Sequence, residues 1–254
     1  MSFDVPAESY RKFMGRFSEP LADLFLASVD LQPPQRVLDV GCGTGALTSR
    51  LVDRLGAGHV VAVDPSPPFV AAVRHRLPSV EVHEAPAEDL PLGDDTVDAA
   101  LAQLVVHFMA DPVRGLSEML RVTRPGGVVA ACVWDHAGGQ GPLSLFWDAV
   151  HELDPDAPGE SELAGTRDGH LGELLVAAGA DDVGTGWLVV TVPFRDLDEW
   201  WEPFTLGVGP AGVHVAGLDD AGRTALRDAC ARRLPEGPFE LAATAWTATG
   251  RART

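Results

Sequence analysis

The chain has 254 residues and a formal net charge of −18, enough length for one well-buried core with insertions and too acidic for a nucleic-acid phosphate surface or an anionic membrane as partner. Cys42, Cys132 and Cys230 are far apart and form no C-x-x-C pair, which excludes a thiolate zinc site, implies no metal and is expected of a reducing, cytoplasmic compartment. No stretch reaches the roughly 18 apolar residues of a membrane span, and MSFDVPAESYRKFMGRFSEP lacks an apolar signal core.

From 8 to 29, Phe13, Phe17, Leu21, Leu24, Phe25 and Val29 recur at helical spacing with a break near Ser18, Glu19 and Pro20. Two helices are expected, Ser18 capping the second and Pro20 in its first turn. The apolar run Val37, Leu38, Val40 then enters Gly41, Gly43 and Gly45, and a helical pattern follows over 46–55. Strand, tight loop and helix make a ligand cradle, because glycine lets the backbone approach closely and a helix start offers unpaired N–H groups. Gly41, Gly43 and Ala46 also satisfy the dinucleotide fingerprint G-x-G-x-x-G/A. Asp39 tilts the choice: a carboxylate at the strand's mouth opposes a pyrophosphate and suits a ligand that carries an amino group and a sulfonium.

The second strand, 59–63, ends in Asp64, placed to accept hydrogen bonds from a ribose diol. That reading holds for NAD as well. A helix is expected over 67–76, a third strand over 80–83 and a fourth over 99–102, with Gln103 at the carboxyl end that faces the ligand crevice in open α/β sheets. His107 follows in an apolar turn. A helix over 112–122 leads through the turn Pro125, Gly126, Gly127 into an apolar strand, 128–134. Asp135 and His136 emerge at its end, as polar loop residues or as an acid–base pair. AGGQGP is a breaker, 143–153 a helix, and the acidic run 154–162 a solvated loop. A helix over 168–178, stopped by Gly179, precedes strand six, 182–194. The segment 196–234 is too long for a hairpin and is expected as an inserted helical cap with Trp200, Trp201, Phe204 and His214. The closing strand covers 239–249.

Asp39, Gly41, Gly43 and Gly45, together with Asp64 and the Pro125–Gly127 turn, resemble the motifs of class I S-adenosylmethionine (SAM)-dependent methyltransferases, in their small-molecule, type 11-like group. EAPAEDLPLGDDTVD is similar to the family run D-A-x-x-L-P-F-x-D-x-x-F-D, except that Pro86 stands where an acid commonly reads adenine. The resemblance implies an α/β fold: a Rossmann-like, doubly wound seven-stranded sheet with its last strand antiparallel and an inserted helical cap. It implies a single domain over 1–254, a helical cover over 1–30, and cap insertions at 137–165 and 196–234.

The implied activity is methyl transfer from SAM to a small-molecule acceptor, with S-adenosylhomocysteine as product. Cofactor contacts are carried over to Asp39, Gly41, Cys42 and Gly43 in the loop and to Asp64 and Pro65 after the second strand. Ala87, Glu88 and Gln103 take the far side, with Tyr10 and Arg16 from the N-terminal cover. His107 is the candidate catalytic residue. His107, His136, Trp200 and Trp201 are candidate acceptor contacts. An NAD-dependent oxidoreductase would share the loop and Asp64 but has no reason to keep Asp39; a non-catalytic SAM-binding module is the other alternative.

Overall fold

The computed structural model describes residues 7–253; residues 1–6, part of the expected 1–30 cover, and Thr254 lie outside the described residues. The chain opens with one helix, α1 (Ala7–Ser28), where two were expected. Pro20 lies inside it, yet Phe13, Phe17, Leu21 and Phe25 form a continuous buried stripe. Burying four such side chains, at about 1.5–3 kcal/mol each, outweighs the roughly 3 kcal/mol cost of an interior proline.

Strands β1 (Val37–Val40), β2 (Val60–Asp64), β3 (Glu81–Glu84), β4 (Val97–Gln103) and β5 (Thr123–Trp134) alternate with helices α2 (Ala46–Leu55), α3 (Pro67–Arg76) and α4 (Pro112–Val122). After β5 come α5 (Ser144–Leu153), α6 (His170–Ala178) and β6 (Asp181–Phe194). Helices α7 (Leu197–Trp201), α8 (Gly209–Gly217) and α9 (Asp220–Ala231) precede the last strand, β7 (Phe239–Arg251). The seven strands form one sheet in the order β3-β2-β1-β4-β5-β7-β6. β1 to β5 pair in parallel, and β7 runs antiparallel between β5 and β6. The doubly wound sheet with its last strand antiparallel is therefore observed.

Side-chain alternation along the strands divides the core into two layers. Val37, Ala62 and Ala99 face a layer built from α1, α2, α3 and α5, whereas Leu38, Val40 and Ala100 face α4 and α6. Pro125–Gly127, expected as a turn ahead of the strand, lies within β5. Gly126 takes φ 76° and donates its N–H to the Ala252 carbonyl at 2.8 Å, so the bend is stitched to the end of β7.

Between β6 and β7 the chain folds outside the sheet as α7, a 3-10 turn at Glu202–Leu206, α8 and α9. Phe204 of that turn stacks on Phe146 of α5 at 4.6 Å and meets Phe13 of α1 at 5.3 Å. These contacts place the segment on the α1 side of the molecule. Among the described residues no helix is long and apolar enough to cross a membrane.

Candidate functional site

The sheet order reverses between β1 and β4, and a crevice opens at the carboxyl ends of these strands. A cavity of about 360 Å³ lies there, with Gly41, Gly43, Asp64, Ala87 and Gln103 in its wall. Gly41 takes φ 67°, a conformation that other residues reach only with strain. A Cβ there would stand 2.6 Å from the Cβ of Val105. The loop is pinned from below: the N–H groups of Gly41 and Cys42 both donate to the Val63 carbonyl, at 2.8 and 3.0 Å.

Asp64 holds the loop from the side. Its two oxygens accept the N–H of Gly43 and the N–H of Ser66, each at 2.8 Å. Burial raises its pKa, and these two hydrogen bonds oppose the rise. Pro65 sits beside it in the cavity wall.

Asp39 borders a smaller inner cavity with Cys42, Thr44 and Gln103. It is 1% exposed and accepts the Thr48 hydroxyl at 2.6 Å. Burial first, and then the neighbouring Asp64 charge, push its carboxyl up to about 7, against the lowering effect of Thr48. A cationic group in the inner cavity would reverse that penalty.

The sign of the linkage follows: a folded pKa above the unfolded one means stability that is full below about pH 4 and lost as pH rises through about 7. Asp39→Asn keeps an acceptor for Thr48 and removes the charge. At pH 8 it is expected to raise the stability of the ligand-free protein by roughly 2–4 kcal/mol while weakening the binding of a cationic ligand. Urea denaturation at pH 5 and pH 8 checks this; a variant no more stable than wild type at pH 8 would contradict it.

Gln103, at the end of β4, donates its Nε2 to the Ser18 carbonyl at 2.8 Å, and its Oε1 is buried without a partner among the described residues. Leu104, next in the chain, takes φ 60° and lines both cavities. Strain in a non-glycine residue at a strand end is a mark of function that the sequence does not display. Tyr10 of α1 also borders both cavities, packs on Phe69 at 5.1 Å, and has its phenol pushed up to about 12 by burial and then by Asp64.

A third, apolar cavity adjoins these two and shares Tyr10, Leu104 and Phe108 with the main one. Its walls include Phe13, Met14, Trp134, His107 and His136. His107 lies in a 3-10 turn, Val106–Phe108, at the crevice. Its ring is 3.9 Å from Phe108 and 5.9 Å from His136, centroid to centroid. Burial, and then His136, hold the His107 pKa well below the usual range, and burial lowers His136 to about 4. Both imidazoles are neutral near pH 7. The Nδ1 of each is buried without a partner among the described residues.

Three sequence readings are corrected. Arg16 does not line the main cavity: its guanidinium pairs with Glu199 and lies over Phe194, 4.9 Å from the ring centroid. Trp200 and Trp201 are 2% and 8% exposed, pack on Phe204, and border neither the main nor the third cavity. Both belong to the core. Glu88 lines the main cavity as expected, and its Oε1 accepts the N–H groups of Ala110 and Asp111, at 2.7 and 3.2 Å. Asp135 forms no pair with His136. It is buried and accepts the Gly138 N–H at 2.7 Å, which closes the turn after β5. Cys42 does border the inner cavity, with a thiol pKa pushed well above the ordinary value by burial and by Asp39 and Asp64, so it is no nucleophile.

The acidic run 154–162 is also more than a solvated loop, because Glu160 is 3% exposed and lines the third cavity. No periodicity or motif marks it; only the fold of the loop buries it. Among the described residues no cluster of side chains could hold a metal ion.

The donor set fits SAM. The inner cavity offers a buried carboxylate and an unpaired amide oxygen for a cationic end, and the main cavity offers a backbone surface that a Cβ would fill, beside Asp64. A family model for a methyltransferase domain matches residues 38–131. An uncharacterized methyltransferase of Mycobacterium bovis is 46% identical over 101 residues, 40% of this chain, and the match spans only 40% of that relative's length. A trans-aconitate 2-methyltransferase of Azoarcus sp. is 31% identical over 240 residues, 93% of this chain and 86% of the relative. The crystal structure of a putative methyltransferase from Bacillus halodurans superposes with a TM-score of 0.60 at 16% identity, covering 92% of this chain and 99% of the other.

Proposed function

This chain belongs to the class I SAM-dependent methyltransferases, and from that premise we propose that it is an enzyme that moves a methyl group from SAM to a small-molecule acceptor held in the third cavity. The observation that carries the proposal is the adjacency of the two sites. Tyr10, Leu104 and Phe108 form a shared wall between a glycine-lined cavity and an apolar pocket that contains two neutral imidazoles.

In this reading Asp39 and Gln103 hold the amino-acid end of SAM, Gly41 and Gly43 the backbone-facing middle, and Asp64 the ribose. Ala87 and Pro86 flank the adenine. SAM supplies a methyl carbon already activated by the sulfonium. The chain's share of the work is to position the acceptor, exclude water and accept a proton. Positioning can supply about 7–11 kcal/mol of barrier reduction. His107 provides a neutral ring nitrogen that can orient the acceptor or take its proton.

The Azoarcus relative is named for a tricarboxylate. In this chain no lysine or arginine lines the third cavity among the described residues, which favours an acceptor without carboxylates. The three cysteines are buried free thiols and support a cytoplasmic setting. The segments 1–30, 137–165 and 196–234 are proposed as the cover of the site.

Calorimetry with SAM, S-adenosylhomocysteine and NAD tests the cofactor: micromolar binding of the first two and none of NAD is expected, and tight NAD binding would favour an oxidoreductase. His107→Ala is expected to leave S-adenosylhomocysteine affinity within about twofold while slowing single-turnover methyl transfer roughly 10- to 100-fold. The ratio should stay constant from pH 6 to 8, because the wild-type imidazole is neutral throughout that window. A wild-type rate for the variant would remove His107 from the mechanism.

A further inference from the structure

Glu160 is the acidic residue among those that line the third cavity, and it reaches that place through a closed loop. The Thr166 hydroxyl donates to the carbonyls of Ser161 and Leu163, both at 2.8 Å, the Leu163 N–H donates to the Glu160 carbonyl at 3.2 Å, and the Ala157 N–H donates to the Asp154 carbonyl at 3.1 Å. The side chain turns inward to accept the Trp147 indole N–H at 2.8 Å.

One neutral donor does not compensate a carboxylate for nearly complete loss of water. Burial accordingly raises Glu160 to about 7, against the lowering effect of Trp147. Phe13, Phe108 and Trp134 line the same cavity. The other titratable groups in the wall are Tyr10, His107 and His136, and His151 and His214 pack on Trp147 with ring centroids 6.1 Å away. Tyr10 holds its proton, and burial lowers His107, His136 and His214.

A cavity with one potential anion, aromatic walls and no cation is complementary to a positively charged ligand. Aromatic rings attract a cation, and a desolvated ion pair restores the interaction the carboxylate lost on burial. An anionic ligand would meet Glu160 with nothing to offset it.

Resting on the methyltransferase reading, we propose that Glu160 is an acceptor-binding residue and that the acceptor carries an ammonium group, held by the Glu160 carboxylate beside Phe13, Phe108 and Trp134, on a different atom from the one methylated. Trp147 is the positioning residue that aims the carboxylate. Removing the charge should abolish the preference for an amine without touching the cofactor cavity, because Glu160 borders only the third one.

The test uses two probes of one shape, 2-phenylethylamine and 2-phenylethanol, titrated at pH 8 into the full chain saturated with S-adenosylhomocysteine. Wild type should bind the amine at least tenfold more tightly than the alcohol. Glu160→Gln, which keeps an acceptor for Trp147, should bind the two alike, with S-adenosylhomocysteine affinity within about twofold of wild type. Equal binding of both probes by wild type, a preference that survives in Glu160→Gln, or binding of neither probe would overturn the assignment. If S-adenosylhomocysteine itself fails to bind wild type, the methyltransferase reading fails instead, and the same probe ratio on the ligand-free chain still decides the role of Glu160.

Discussion

Gly41→Ala is expected to cost the protein about 2–6 kcal/mol of stability and to reduce S-adenosylhomocysteine binding below detection. Two costs combine. An alanine at φ 67° carries roughly 1–3 kcal/mol of backbone strain, and its methyl would overlap Val105, whose Cβ would lie 2.6 Å away, for a further 1–3 kcal/mol or so. The loop can relieve both only by moving, which gives up the hydrogen bond from the Gly41 N–H to the Val63 carbonyl and the surface that faces the ligand. Adding Val105→Ala relieves the collision in part: it removes the two γ carbons but leaves the Cβ 2.6 Å away, so less than half of the lost stability should return. Urea denaturation and calorimetry give the two readouts. A Gly41→Ala protein with wild-type stability and affinity would show that the loop is not the cradle described.

The second large effect is expected at Asp64. Both of its oxygens are engaged in the ligand-free chain, one with Gly43 and one with Ser66. The carboxylate is thus a staple between the glycine loop and the start of α3, beside its proposed contact with the ribose. A single hydrogen bond to a charged group contributes about 1.5–3 kcal/mol. Losing the ribose contact and the preorganisation of the loop together should lower SAM affinity by about 3–4 kcal/mol, roughly 10²- to 10³-fold. Asp64→Asn retains one oxygen acceptor and should fall in between. The same change has a signature at a distance: Asp64 helps to raise the Asp39 pKa, so in Asp64→Ala the pH at which Asp39 ionises should drop, a shift that NMR titration of the carboxyl carbon can follow. An Asp64→Ala protein that binds SAM as wild type does would remove Asp64 from the cofactor site.

The parts of the molecule that follow from local periodicity were legible in the chain itself. α2, α3 and α4 have the bounds that the apolar spacing and the flanking glycines and prolines predict, and each parallel strand falls within a few residues of its apolar run. The loop from Asp39 to Gly45 and the acid after β2 were legible for a related reason: a backbone that must turn at positive φ leaves glycine few substitutes. Local rules failed where burial competed with them. Pro20 reads as a break, but the apolar stripe of α1 carries the helix through it; Pro125–Gly127 reads as a turn, but pairing with the end of β7 draws it into the strand.

The site divided in the same way. Asp39, Gly41, Gly43 and Asp64 were named by sequence alone, because strand, loop and helix succeed one another along the chain and bring them together with no distant partner. What lies across the crevice depends on long-range packing, which no local pattern encodes. Arg16 was expected at the cofactor, yet the nearest carboxylate in space belongs to Glu199, 183 positions away in the chain. Trp200 and Trp201 were expected at the acceptor, yet both rings pack on Phe204, which stacks on Phe146. Glu160 lies in a run of acids and prolines that composition assigns to solvent. Only the folded chain, by closing a loop on Thr166 and setting Trp147 beside it, takes that one carboxyl out of water and brings it to the wall of the third cavity.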